Sequence, residues 1–150
     1  MASVLRGLRD RLATVTPVAR DRTYQLVRPL RNHVWIGHCE TVGTVLLKMA
    51  KSEDLQKFER EVNFQIDLFS SKHIRRILDV IRAPEQDSTK DFEAAMVLEF
   101  KPYSLWDACL DPKNSPPSDY QIDHVMKGVL RGLSDMHERG VAHLGQTNSY

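Results

Sequence analysis

The segment TVLLKMA sets a lysine, Lys48, at the end of an apolar run. An ammonium on a buried strand face is costly unless a counter-charge answers it. A partner is available in the next segment, SEDLQKFEREVNFQIDLF, where Glu61 falls in mid-helix beside the apolar positions Leu55, Phe58, Val62, Ile66 and Phe69. Those positions follow a helical period, and Ser52 stands where an N-cap would. A Lys48–Glu61 pair so placed is either a functional cation held by a carboxylate or a structural pair, and Lys48 could also snorkel to water. The other chemistry-bearing residues are less pointed. His143 follows a short extended VA after a helix end, and His73, His124 and His137 have the same standing of turn or core hydrogen-bonding residues. Asp135 and Glu138 read as helix surface, and Trp35 and Trp106 as core or groove-lining aromatics. The chain has no HExxH, GxxxxGK or GxGxxG pattern.

The 150 residues suit one domain with a moderate core, and a composition of 41% hydrophobic and 27% charged residues is ordinary for a globular protein. A formal net charge of +1 without a long single-sign block carries no nucleic-acid signal. The two cysteines, Cys39 and Cys109, lack metal-ligand spacing and read as free cytosolic thiols. No apolar run reaches the roughly 18 residues of a spanning helix, and a cytoplasmic location is the default. The opening MASVLRGLRDRLATVTPVAR carries Arg6, Arg9, Arg11 and Arg20 among apolar residues. Asp10 and Pro17 argue against a targeting segment and favour a surface helix ahead of the domain.

TYQLVRPL, HVWIGHCE and TVLLKMA read as strands, with Asn32 in a solvated first turn and the glycine of ETVG in a hairpin connection. After the helix, HIRRILDVI and FEAAMVLEF read as two more strands around the polar loop APEQDSTKD. KPYSLWDACLDPKNSPPSD mixes a short helical turn with a loop. DYQIDHVMKGVLRGLSDMHERG is a second long helix with a stripe of Ile122, Val125, Val129, Leu133 and Met136, a C-terminal Gly140, and two internal glycines that mark close packing. The order strand-strand-strand-helix-strand-strand-helix describes an α+β fold, a mostly antiparallel sheet with one long helix laid on it.

In this order the segments resemble the N-terminal lobe and first C-lobe helices of a eukaryotic-type protein kinase, in particular the divergent kinase-like proteins of filamentous fungi. The resemblance covers roughly residues 22–143. TVLLKMA stands in the place of the VAIK-like strand, and KFEREV in that of the helix carrying the paired glutamate. It implies that Lys48 holds the α- and β-phosphates of ATP and that Glu61 orients it. Leu98 becomes the gatekeeper, and the backbone of Glu99, Phe100 and Lys101 faces the adenine edge. GVAH matches the start of the catalytic loop, with His143 as the histidine of an HRD-type motif. The implied organisation is an N-terminal extension (1–20), a kinase-like small lobe and hinge (21–101), a partial large lobe (102–143) and a divergent tail (144–150).

Two departures shape the functional expectation. After His143, Leu144 and Gly145 stand where arginine and the base aspartate would, Thr147 where a lysine would, and Tyr150 where the metal-binding asparagine would. The DFG segment has no counterpart. The turn of VRPLRNHV, in place of a glycine-rich phosphate roof, has no glycine, and Arg28 and Arg31 there are either phosphate contacts or a solvated turn. The expectation is a truncated, pseudokinase-like domain, catalytically inactive, with weak ATP binding, no magnesium site, and a protein partner covering the apolar face of helix 119–139. The alternatives are an ATP-dependent Ser/Thr-type protein kinase represented here incompletely, and an unrelated α+β adaptor in which Lys48 and Glu61 pair incidentally.

Overall fold

The structure, a computed structural model, describes residues 1–18, 21–102, 113 and 115–142. The chain divides into two compact units, one of residues 1–69 and 75–100 and the other of residues 70–74 and 101–150. The expectations placed on Trp106, Cys109, His143 and Gly145 lie outside the described residues.

The first unit is a five-stranded antiparallel sheet, β1 (Gln25–Arg31), β2 (Val34–Cys39), β3 (Gly43–Lys51), β4 (Ile77–Arg82) and β5 (Phe92–Glu99), in the order β1-β2-β3-β5-β4. Two helices accompany it, α1 (Ala2–Ala13) and α2 (Leu55–Asp67). This is the α+β arrangement of antiparallel sheet and packed helix that the kinase resemblance implied. Strand β3 sits between β2 and β5 and is buried along most of its length. Its residues divide by the period of two. Leu46 and Ala50 join a cluster with Ile36, Phe58, Val62, Ile66, Met96 and Leu98. Val45, Leu47 and Met49 join a second cluster with Tyr24, Cys39, Ala95 and Val97.

The turns follow backbone chemistry. Gly43 closes the β2–β3 hairpin at φ +83°, a left-handed conformation that costs glycine nothing. The β1–β2 turn lacks that option, and His33 occupies the left-handed region instead, at φ +66°. Pro29 sits on the edge strand β1, where a missing amide breaks no interior ladder. Ser52 does not cap the long helix: it opens a short 3-10 turn, Ser52–Asp54, and Asp54 occupies the cap position without a side-chain bond. The stretch APEQDSTKD also holds more structure than a polar loop needs. A 3-10 turn at Asp87–Thr89 buries Thr89, whose hydroxyl donates to Pro84 O at 2.8 Å.

The N-terminal segment is a helix, as expected, but one side of it belongs to the core. Leu5, Leu8 and Leu12 pack in the cluster that holds the α2 stripe. On the same helix, Arg9 makes a two-pronged bond to Asp79, Nε–Oδ1 3.0 Å and Nη2–Oδ2 3.1 Å. Asp79 is fully buried at a bulge in β4, and it also accepts from the Tyr24 hydroxyl at 3.1 Å and the Val80 amide at 2.8 Å. Four donors to one carboxylate satisfy a charge that could not otherwise stay in the interior. The network joins α1 to the edge strand β4 and to the segment entering β1.

The second unit, by itself, contains α3 (Asp119–His137) and the segment 70–74. Ser118 and Gln121 form a reciprocal capping box at its start. At its end Val141 N reaches Met136 O and Gly140 N reaches His137 O, both at 2.9 Å, with Gly140 left-handed as expected of a C-terminal glycine. Of the two internal glycines, Gly132 packs closely, since a Cβ there would lie 3.4 Å from His73, whereas one on Gly128 would make an ordinary contact at 3.7 Å. Ser71 donates to Asp135, which therefore serves a contact rather than open surface. Of the expected stripe, Val125, Leu133 and Met136 are half-buried, while Ile122 and Val129 are 48% and 49% exposed.

A Cβ on Gly37 would meet Leu47 Cδ1 at 2.3 Å and Gln25 O at 3.0 Å. Gly37→Ala should therefore cost about 1–3 kcal/mol in urea unfolding, the range for forcing a methyl into a packed core. Burial, and then the charge of Asp79, push the Tyr24 phenol far above its ordinary pKa. The fold thus keeps a proton that the unfolded chain surrenders, so this contribution is complete below pH about 10 and declines as pH rises beyond it. Tyr24→Phe should lower the melting temperature at pH 7 yet flatten its decline above pH 10, read from thermal melts across that range.

Candidate functional site

Lys48 lies on the β3 face that carries Leu46 and Ala50, the face over which α2 packs. Its cross-strand neighbours are Val34 in β2 and Met96 in β5. The α2 stripe of Phe58, Val62 and Ile66 is buried, and Glu61, at the edge of that stripe, is brought to the lysine. Lys48 Nζ donates to Glu61 Oε1 across the strand and the helix. The side chains keep 43% and 34% of their exposure, so the pair is partly solvated and the ammonium retains capacity to bind a further anion.

One row along the sheet, Ile36, Leu46 and Leu98 are in register across β2, β3 and β5, and Ile77 continues the row into β4. This apolar row is two residues from the lysine row, a separation of about 7 Å. Leu98, the expected gatekeeper, is 9% exposed and Leu46 5%. Glu99 pairs across from Val45, and its amide donates to Arg76 O at 3.0 Å while its carboxylate lies 3.6 Å from Arg76 Nε. Phe100 packs, half-buried, against the first cluster. Lys101 is exposed and belongs to the second unit. The structure thus gathers Lys48, Glu61 and Leu98 on one face of the first unit, with Glu99 and Phe100 continuing β5.

At the turn where a phosphate roof would sit, Arg31 pairs directly with Val34 across Asn32 and His33. The His33 carbonyl accepts from the Met49 amide at 2.7 Å, and its ring meets Phe92 edge-on at 5.2 Å. Arg28 and Arg31 are exposed. The turn is therefore short and tied down, not a glycine-rich flap. Among the described residues no three His, Cys, Asp or Glu side chains come together as a metal site requires. No helix among them is long and apolar enough to cross a membrane.

The Arg9–Asp79–Tyr24 network was not among the sites expected from the sequence. The signal was available: Asp79 interrupts the apolar ILDVI much as Lys48 interrupts TVLLK, and an unexplained charge in an apolar strand demands a partner.

No protein-family profile and no curated protein matches the chain. Among solved structures it is similar to that of vaccinia related kinase 3, at 19% identity, with a TM-score of 0.48. The match covers 78% of this chain and 39% of that one, so it reaches less than half of the kinase structure. So loose a superposition assigns no chemistry to any residue.

If the pair is half-solvated as observed, it contributes little to stability. Lys48→Met and Glu61→Gln should each change unfolding free energy by less than about 1 kcal/mol, the range for partly exposed ion pairs, in chemical denaturation.

Proposed function

We propose that this chain forms a kinase-like small lobe that binds a nucleoside triphosphate weakly through Lys48 and acts by binding rather than by phosphoryl transfer. The observation that carries this reading is the ion pair between Lys48 on β3 and Glu61 on α2. In it the carboxylate fixes the ammonium, and a fixed cation is what the α- and β-phosphates require. The apolar row of Ile36, Leu46 and Leu98 supports the reading, since a base lying there would hold its phosphates toward the lysine row. That row is 5–9% exposed and offers a base little open surface, and the roof turn has no glycine, which is why weak affinity is proposed. Leu98 and the backbone of Glu99, Phe100 and Lys101 take the hinge role.

Catalytic inactivity is proposed on the residues after His143, where Gly145 takes the place of the base aspartate. In the family pattern that aspartate is the group that accepts the proton of the attacking hydroxyl. The partner surface belongs to the same reading: on α3 the stripe residues Ile122 and Val129 are 48% and 49% exposed, and Met126 and Leu130 beside them 51% and 61%, within about 100° of the helix circumference. An active Ser/Thr-type kinase that includes these residues would use Lys48 and Glu61 in the same roles, and an adaptor would use neither.

Titration with ATP, followed by calorimetry, tests the reading. The wild-type chain should bind with a dissociation constant in the range of about 0.1–1 mM, or −4 to −5.5 kcal/mol. Lys48→Ala should weaken it at least about tenfold, since a charge-assisted bond to phosphate contributes about 1.5–3 kcal/mol. Equal affinity in the two proteins, or no binding to either, would overturn the nucleotide role and leave the adaptor reading.

A further inference from the structure

We infer that α1 is a clamp that sets the position of α2 and, through it, the Lys48–Glu61 pair; its functional meaning, regulation of that site, rests on the nucleotide reading. Arg9 and Arg11 are two residues apart on α1, about 200° around a helix of 3.6 residues per turn, so they project in nearly opposite directions. Arg9 goes to the buried Asp79 of β4. Arg11 goes to α2, where it donates to Asn63 Oδ1 and, at 2.6 Å, to Asp67 Oδ1. Between them Leu8 and Leu12 pack in the cluster that contains Phe58, Val62 and Ile66 of α2. One helix is thereby bolted to the sheet and gripped onto its neighbour.

The second helix is seated by its buried stripe, and the grip adds an anchor outside that stripe. It has 13 residues and no side-chain N-cap bond, and an isolated helix of that length is marginal in water. Asn63 and Asp67 are one turn apart on a common side, and Asn63 is about 200° from Glu61 around the axis. Lys48 therefore holds α2 on one side and Arg11 on another. Loosening the Arg11 contacts lets α2 roll or lift, and Glu61 moves with it, without any change in the residues that would touch a nucleotide.

The test uses the full chain and four proteins: wild type, Arg11→Glu, Asp67→Arg, and the charge-swapped double variant. All changes are at half-exposed side chains, so the core is left alone. Hydrogen exchange should show the α2 amides of Arg11→Glu opening about threefold faster or more, the scale of a lost surface pair with added repulsion. Amides of β3 and β5 should stay unchanged, and the double variant should regain the wild-type rates. ATP affinity should fall by a similar factor in Arg11→Glu and return in the double variant. Unchanged α2 exchange, or a double variant that fails to recover, overturns the clamp. Faster α2 exchange with unaltered ATP affinity overturns its control of the site. Exchange that follows the charges in a protein that binds no ATP supports the clamp and rejects the nucleotide reading instead.

Discussion

Strand β3 divides its side chains between two core clusters, and that division of faces organises the first unit. Val45, Leu47 and Met49 are committed to one core cluster and Leu46 and Ala50 to the other, so the side chain of Lys48 must emerge beneath α2. Glu61 answers it there. Placing the carboxylate requires α2 to lie with Phe58, Val62 and Ile66 inward, which their four-residue spacing already favours. Strand alternation and helix period, two local properties, converge on a single contact.

A buried charge plays a complementary part in β4, at one edge of the sheet. Asp79 has no solvent exposure, yet four donors surround it, from α1, from the segment before β1 and from β4 itself. Removing any one leaves a carboxylate under-satisfied in the interior, a cost greater than the bond itself returns. Such a network specifies where α1 docks more sharply than leucine packing does, because apolar contacts tolerate sliding and a two-pronged guanidinium does not. The two charged contacts differ in character. The Arg9–Asp79 pair is sealed and structural, whereas Lys48–Glu61 remains partly open to water and to a ligand.

Much of the fold was legible in the residues. The five strands and two of the helices fell within a few positions of their expected places, since each carried a clean period bounded by polar turns. The hairpin glycine and the terminal Gly140 were also legible, because each is a local backbone property. The Lys48–Glu61 contact could be anticipated from an unanswered charge on a strand and an acidic residue on the following helix. The Ser52 cap failed for a local reason too: a 3-10 turn intervened, and a serine before an apolar period does not reveal which kind of helix begins.

What stayed hidden required knowing which surfaces meet. Leu5, Leu8 and Leu12 have helical spacing, but spacing alone does not distinguish a solvent-facing helix from one that completes a core. Nor could the sequence say that Arg9 answers Asp79 or that Arg11 reaches α2, since these partners are 70, 52 and 56 residues apart. Residue types and periods by themselves determined the elements, the faces they bury and the unpaired charges that needed partners. Only the tertiary structure decided which partner each charge received, because that choice depends on strand order and on where α1 docks, and neither is encoded in any local pattern.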